Sequence, residues 1–139
     1  MPADFFLDTN IFVYTFDRRD RQKQARARGL VERALGTGDG VVSSQVVQEF
    51  LSVALRKFER PLSNEQALRY LREVLDPLCS VFPNISLYET ALSLHRRWRF
   101  NFYDALIVAA ALESNCKVLY SEDLQDGQEI ESLTVSNPF

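Results

Sequence analysis

Apolar residues recur along this chain in two rhythms, short unbroken runs and stripes of helical spacing, and the two rhythms alternate. Residues 3–8 form an apolar run that ends at Asp8-Thr9-Asn10, side chains that cap helices well, so a strand feeding a helix is predicted. Between 17 and 35, Ala27, Leu30, Val31, Ala34 and Leu35 return at helical spacing among charges, until Gly36, Gly38 and Gly40 end the segment. A β-branched run at 40–43 then predicts a strand, and the stripe of Val46, Val47, Phe50, Leu51, Val53 and Ala54 a helix over 45–58. Ser63, with Glu65 and Gln66 behind it, opens a capped helix over 64–75 that Pro77 is expected to close, and 79–82 reads as a third strand. Ser86 with Glu89 is a capping-box signature for a helix reaching Trp98. Asn101 is placed to cap a helix over 102–114 that is apolar on nearly every face, and so is expected at the centre of the fold. Strands at 117–120 and 133–136, separated by an acidic, Gly-containing loop, complete the set. Strands alternating with helices predict an α/β fold with a mostly parallel sheet covered on both faces, and such sheets bind ligands outside the carboxyl ends of their strands.

At 139 residues, 46% hydrophobic and 25% charged, the chain reads as a single globular domain over 1–139 without repeats or low-complexity tracts. Its apolar runs are too short for a membrane span and its start lacks the basic region of a secretory signal. Cys79 and Cys116 sit in apolar surroundings and are expected as free thiols, which favours a reducing cytoplasm. The net charge of −3 conceals a basic segment holding Arg18, Arg19, Arg21, Lys23, Arg26, Arg28 and Arg33, and a second with Arg96, Arg97 and Arg99. Solvated helix faces and a phosphate-binding surface are both consistent with that pattern.

The residue inventory excludes much chemistry. A single histidine, His95, leaves no His-rich zinc site and no Ser-His-Asp constellation, and the glycines follow a helix where a phosphate loop would open one. Carboxylates remain, and four stand where the sheet pattern places strand ends or helix starts: Asp8, Glu49, Asp104 and Asp123. Each alone has an ordinary reading: Asp8 as a helix cap, Glu49 as the exposed border of a stripe, Asp104 as a partner in an Asn101 cap, Asp123 as part of a solvated turn. Asp104 stands out as the only charge between Arg99 and Glu113, in a helix expected to be buried. Grouped at one sheet edge, such acids would repel by on the order of 3 kcal/mol per pair at ~5 Å and an effective dielectric of ~20. A divalent cation relieves this, and oxygen-only ligands select Mg²⁺ or Mn²⁺, which points to phosphodiester hydrolysis.

The segments FFLDTNIFVY (5–14), SSQVVQEFLSV (43–53), FNFYDALIVAAAL (100–112) and LYSEDL (119–124) together resemble the PIN domain family, in particular its VapC-like toxins. The resemblance implies a three-layer α/β/α sandwich, an Mg²⁺- or Mn²⁺-dependent endoribonuclease acting on RNA, a homodimer and a small antitoxin partner. It makes Asp8, Glu49, Asp104 and Asp123 the metal-site acids, with Asn10 and Ser121 as polar supports and Thr9 as a weaker helper. Glu122 and Asp126 flank the fourth acid and compete with Asp123 for its place. Two other readings stand beside this one. A haloacid-dehalogenase-like phosphatase needs a second Asp where Asn10 stands, and a catalytically silent PIN-like module would bind RNA or protein without cutting.

Overall fold

The computed structural model describes residues 3–139. The chain runs β1 (Phe5–Leu7), α1 (Thr9–Tyr14), α2 (Arg21–Thr37), β2 (Gly40–Ser43), α3 (Ser44–Arg56), α4 (Asn64–Tyr70), a π turn (Leu71–Leu75), α5 (Asp76–Leu78), β3 (Cys79–Val81), α6 (Ile85–Trp98), α7 (Phe102–Glu113), β4 (Val118–Tyr120), β5 (Glu129–Ile130) and β6 (Leu133–Ser136). The strands form one sheet in the order β3-β2-β1-β4-β6-β5. All neighbours pair in parallel except β5, which returns antiparallel on β6 at the edge.

Helices cover both faces of this sheet. Gly40 of β2 lies so close to α2 that a Cβ there would come within 2.4 Å of the Ala34 Cβ and 2.7 Å of the Phe5 ring, so only glycine fits. The next residue, Val41, points the other way, beside Glu113 and Ser114 where α7 ends. The core between the layers is built from Phe5, Phe6 and Leu7 on β1, Ile11 and Phe12 on α1, Phe50 on α3 and Leu119 on β4. Residues Ala105 to Ala111 of α7 are all buried, as their uniformly apolar composition predicts. The three-layer α/β arrangement with a mostly parallel sheet is thus as expected from the order of apolar runs and stripes. Among the described residues no helix is long and apolar enough to cross a membrane.

The structure corrects several boundaries. The helix expected over 17–35 begins only at Arg21, where Asp20 caps it with a carboxylate accepting from the Lys23 N–H at 3.1 Å, and it continues to Thr37 before Gly38 turns it off at φ 75°. Asn84 caps α6, accepting from the Leu87 N–H at 2.8 Å, whereas Ser86 lies within the helix and its hydroxyl meets Glu113. The Ser63–Gln66 capping box forms as expected, but Pro77 does not close that helix. The π turn pairs the Asp76 N–H with the Leu71 carbonyl, which places Pro77 in the first turn of α5, where its missing donor leaves no gap in the ladder. The two-residue strand β5 lies inside the segment expected as a loop.

Candidate active site

β1 and β4 are neighbours at the point where the sheet changes direction: the chain leaves β1 for β2 on one side and comes back through β4 on the other. Such a switch opens a crevice outside the carboxyl ends of the two strands. Asp8 sits there as the N-cap of α1, with Oδ1 accepting from the Thr9 N–H at 2.7 Å and Oδ2 accepting from the Ser121 hydroxyl at 2.7 Å. Ser121 follows β4, is fully buried, and in turn accepts from the Asp123 N–H at 3.1 Å. One hydroxyl therefore ties the first acid to the turn that carries the last.

Only 5% of Asp8 is exposed. Burial pushes its carboxyl up to about 6; the nearby charges of Asp123 and Glu49 add to the shift, against the hydrogen bonds from Ser121 and Thr9. Glu49, on α3, accepts from the Thr9 hydroxyl at 2.7 Å and from Gln45 Nε2 at 3.4 Å. Gln45 also donates to the Tyr103 carbonyl at 3.1 Å, linking α3 to the first turn of α7. Thr9 and Gln45 therefore hold the acids in place, and the i, i+4 spacing of Gln45 and Glu49 is the signal from which Gln45 could have been picked out.

Asp104 differs from the expectation of a buried, uncompensated carboxylate. It lies in the first turn of α7, partly exposed, its N–H donating to Asn101 Oδ1 at 2.9 Å and its Oδ2 accepting from Asn101 Nδ2 at 2.8 Å. The helix is buried only from Ala105 onward, and its first turn stays partly exposed. The Asp104 carboxyl is nonetheless raised, first by burial and then by the charge of Asp123, with Glu49 contributing against the Asn101 hydrogen bond. Asp8 and Asp104 thus both feel Glu49 and Asp123. The crevice is therefore a focus of negative charge at the switch point of the sheet.

The two competitors for the fourth position are engaged elsewhere. Glu122 accepts from the Tyr14 hydroxyl at 2.6 Å and from Lys23 Nζ at 2.8 Å. Burial would raise its carboxyl, but the hydrogen bonds from Lys23 and Tyr14 outweigh this and hold it below the usual range. Asp126 accepts from the Asn137 N–H at 2.8 Å. Asp123 instead lines a cavity of about 670 Å³ together with Thr9, Asn10 and Glu49. The Asn10 amide is buried with neither Oδ1 nor Nδ2 partnered among the described residues.

The donor set is made of carboxylate and amide oxygens, chemistry that suits a hard divalent ion. As the side chains stand, no group of three or more Asp, Glu, His or Cys among the described residues is drawn around a single ion-sized point. Thr9 and Gln45 hold Glu49, and Asn101 holds Asp104, each by neutral donors that a cation can replace. His95 belongs to none of this, since its Nδ1 lies 2.6 Å from the Phe100 carbonyl just past the end of α6.

No curated protein matches the chain in sequence. Solved structures match its fold over most of its length. A toxin–antitoxin complex from Klebsiella pneumoniae contains a chain that is 20% identical, with 99% of this chain and 98% of that one covered at a TM-score of 0.69. VapBC2 from Rickettsia felis, bound to a DNA fragment from its promoter, is 19% identical, with 97% and 98% covered at 0.67. VapC20 from Mycobacterium tuberculosis, a toxin that cleaves the sarcin-ricin loop, is 16% identical, with 86% and 90% covered at 0.61. The model of the PIN domain matches residues 5–125, a stretch that takes in all four acids. On that match, and on the fold it shares with these structures, the chain belongs to the PIN domain family.

Proposed function

We propose that this protein is a metal-dependent endoribonuclease of the cytoplasm, the toxin of a toxin–antitoxin pair, and that Asp8, Glu49, Asp104 and Asp123 are its metal-binding acids. The observation that carries the reading is the shared electrostatics of the crevice, where Glu49 and Asp123 raise the carboxyls of both Asp8 and Asp104. Carboxylates that oppose one another's ionisation at a sheet switch point mark a functional site, and their oxygen chemistry fits Mg²⁺ or Mn²⁺. Bound by these residues, such an ion would supply Lewis-acid stabilisation of a phosphodiester and a water made more nucleophilic. The protein's own contribution is positioning. Ser121 and the Thr9 amide orient Asp8, the Thr9 hydroxyl and Gln45 orient Glu49, and Asn101 orients Asp104. The toxin–antitoxin assemblies among the fold's relatives support a small antitoxin as partner.

Incubating purified protein with RNA and Mn²⁺, with and without EDTA, tests this reading. Asp8→Asn, Glu49→Gln and Asp104→Asn are each expected to lower turnover by at least about a hundredfold while the fold persists, since each removes a charge with little change in volume. Wild-type turnover by any of the three at saturating Mn²⁺ would overturn the shared site. That no three of the acids among the described residues converge on one ion-sized point favours a second reading, a silent module that binds RNA or protein without cutting. That reading predicts binding without product in the same assay.

A further inference from the structure

The acid crevice has to admit a polyanion, and the residues lining its cavity are mostly acidic or neutral. Asp17, Glu49 and Asp123 supply negative charge there, and among the described residues Arg19 is the one cation on the lining. Arg19 stands on the turn between α1 and α2, 81% exposed at its side chain, yet three contacts to Asp17 hold it in place. Its backbone N–H and its Nε each donate to Asp17 Oδ1 at 3.0 Å, and Nη2 donates to Oδ2 at 3.2 Å. The fork uses two of the five guanidinium N–H donors and leaves three free. Four other basic residues of this segment are committed to the fold, Lys23 to Glu122, Arg26 to the Pro138 carbonyl, Arg28 to the Thr15 carbonyl, and Arg33 to the face of Phe5, while Arg18 and Arg21 are exposed and lie outside the cavity lining. Val13 and Val53 add apolar surface to the lining of the same cavity.

We propose that Arg19 is a substrate-phosphate clamp that holds a phosphate flanking the one presented to Asp8, Glu49, Asp104 and Asp123, with the intervening nucleoside against Val13 and Val53. The clamp rests on the ribonuclease reading and deepens it by naming the residue that fixes the strand's register. Asp17 is the positioning residue: by engaging one edge of the guanidinium it aims the remaining donors, so that less rotamer freedom is lost when phosphate binds. Arg69, equally exposed and similarly paired with Glu73 at 3.1 Å on α4, is the matched control outside this cavity.

The test is steady-state cleavage of a single-stranded oligoribonucleotide in Mn²⁺ over a salt series, using wild type, Arg19→Gln and Arg69→Gln. Arg19→Gln is expected to raise KM about tenfold with kcat within about twofold of wild type, the loss of one charge-assisted phosphate contact. The slope of log kcat/KM against log salt should become shallower by about 0.7, one phosphate contact on a single strand. Arg69→Gln should match wild type in both, and the rise in Tm on adding Mn²⁺ should be the same in all three proteins. Wild-type KM and salt slope in Arg19→Gln overturn the clamp, and so does a reduced Mn²⁺ effect on its Tm, which would place Arg19 with the acids. A wild type that cleaves nothing overturns the ribonuclease reading itself, whereas a cleaving wild type with an unaffected Arg19→Gln removes the clamp alone.

Discussion

Asp8 concentrates the conflict of this site in one side chain. It is buried, faces two other carboxylates, and is held by only two hydrogen bonds, so its folded-state pKa of about 6 stands above the usual 3.8. Because the folded state then holds the proton more tightly than the unfolded one, the contribution of Asp8 to stability is full below pH 3.8 and is lost as pH rises through about 6. Above that it stays lower by on the order of 3 kcal/mol. Asp8→Asn escapes this loss. In EDTA the variant should therefore gain on wild type in Tm as pH is raised from 4 to 6, with the difference levelling off above pH 7. Thermal melts across that range check it, and a difference independent of pH would mean that Asp8 is not the strained group.

The elements around the site depend on capping groups chosen by backbone geometry rather than by motif. Ser86 and Glu89 carry the right spacing for a capping box, yet the chain enters α6 two residues earlier, and Asn84 occupies the extended N-cap position. Asn84→Ala should cost about 1 kcal/mol, whereas Ser86→Ala should change stability by less than about 0.5 kcal/mol. Equal losses in chemical denaturation would return the cap to Ser86. The turn after β4 is held in a different way, by contacts from distant parts of the chain. Tyr14 and Lys23 fix Glu122, Asn137 fixes Asp126, and the Phe139 ring packs on Tyr14 with centroids 4.8 Å apart. This bracing keeps Asp123 beside Glu49 and Asp8, and it explains how two extra acids can flank the fourth one without joining it.

At the scale of the molecule, one face of α6 has no cover among the described residues. Ile85 and Leu92 are 71% and 56% exposed, and with Tyr88 and the preceding Phe82 they form an apolar stripe at helical spacing. A second copy of the chain is the occupant that a homodimer would place there, since a self-complementary apolar stripe can pack on its own two-fold image. Leu92→Glu should then turn a dimer into a monomer in light scattering at micromolar concentration, with little loss of fold. A dimer of unchanged stability in that variant would move the interface to another face.

Much of this protein can be read from the sequence, because the relevant physics is local. Runs of Phe5-Phe6-Leu7, the all-apolar stretch Ala105 to Ala111, and the Asn101 cap each declare their element within a few residues. Their alternation fixes a parallel sheet, and a parallel sheet directs attention to strand ends, where Asp8 and Asp123 lie. The sequence could not decide which acid neighbours which. The Thr9–Glu49 contact spans 40 positions, Lys23–Glu122 spans 99 and Ser121–Asp8 spans 113, so each exists only after the sheet has closed. The same closure decides that Glu122 is spent on Lys23 and Tyr14, that Asp104 lies partly exposed at a helix start, and that Arg19 alone among the basic residues of its segment lines the acid cavity. Residue type and spacing set what each side chain can do. Tertiary contacts decide which partner it meets, because a charge acts on whatever lies within a few ångströms in space, however far apart along the chain.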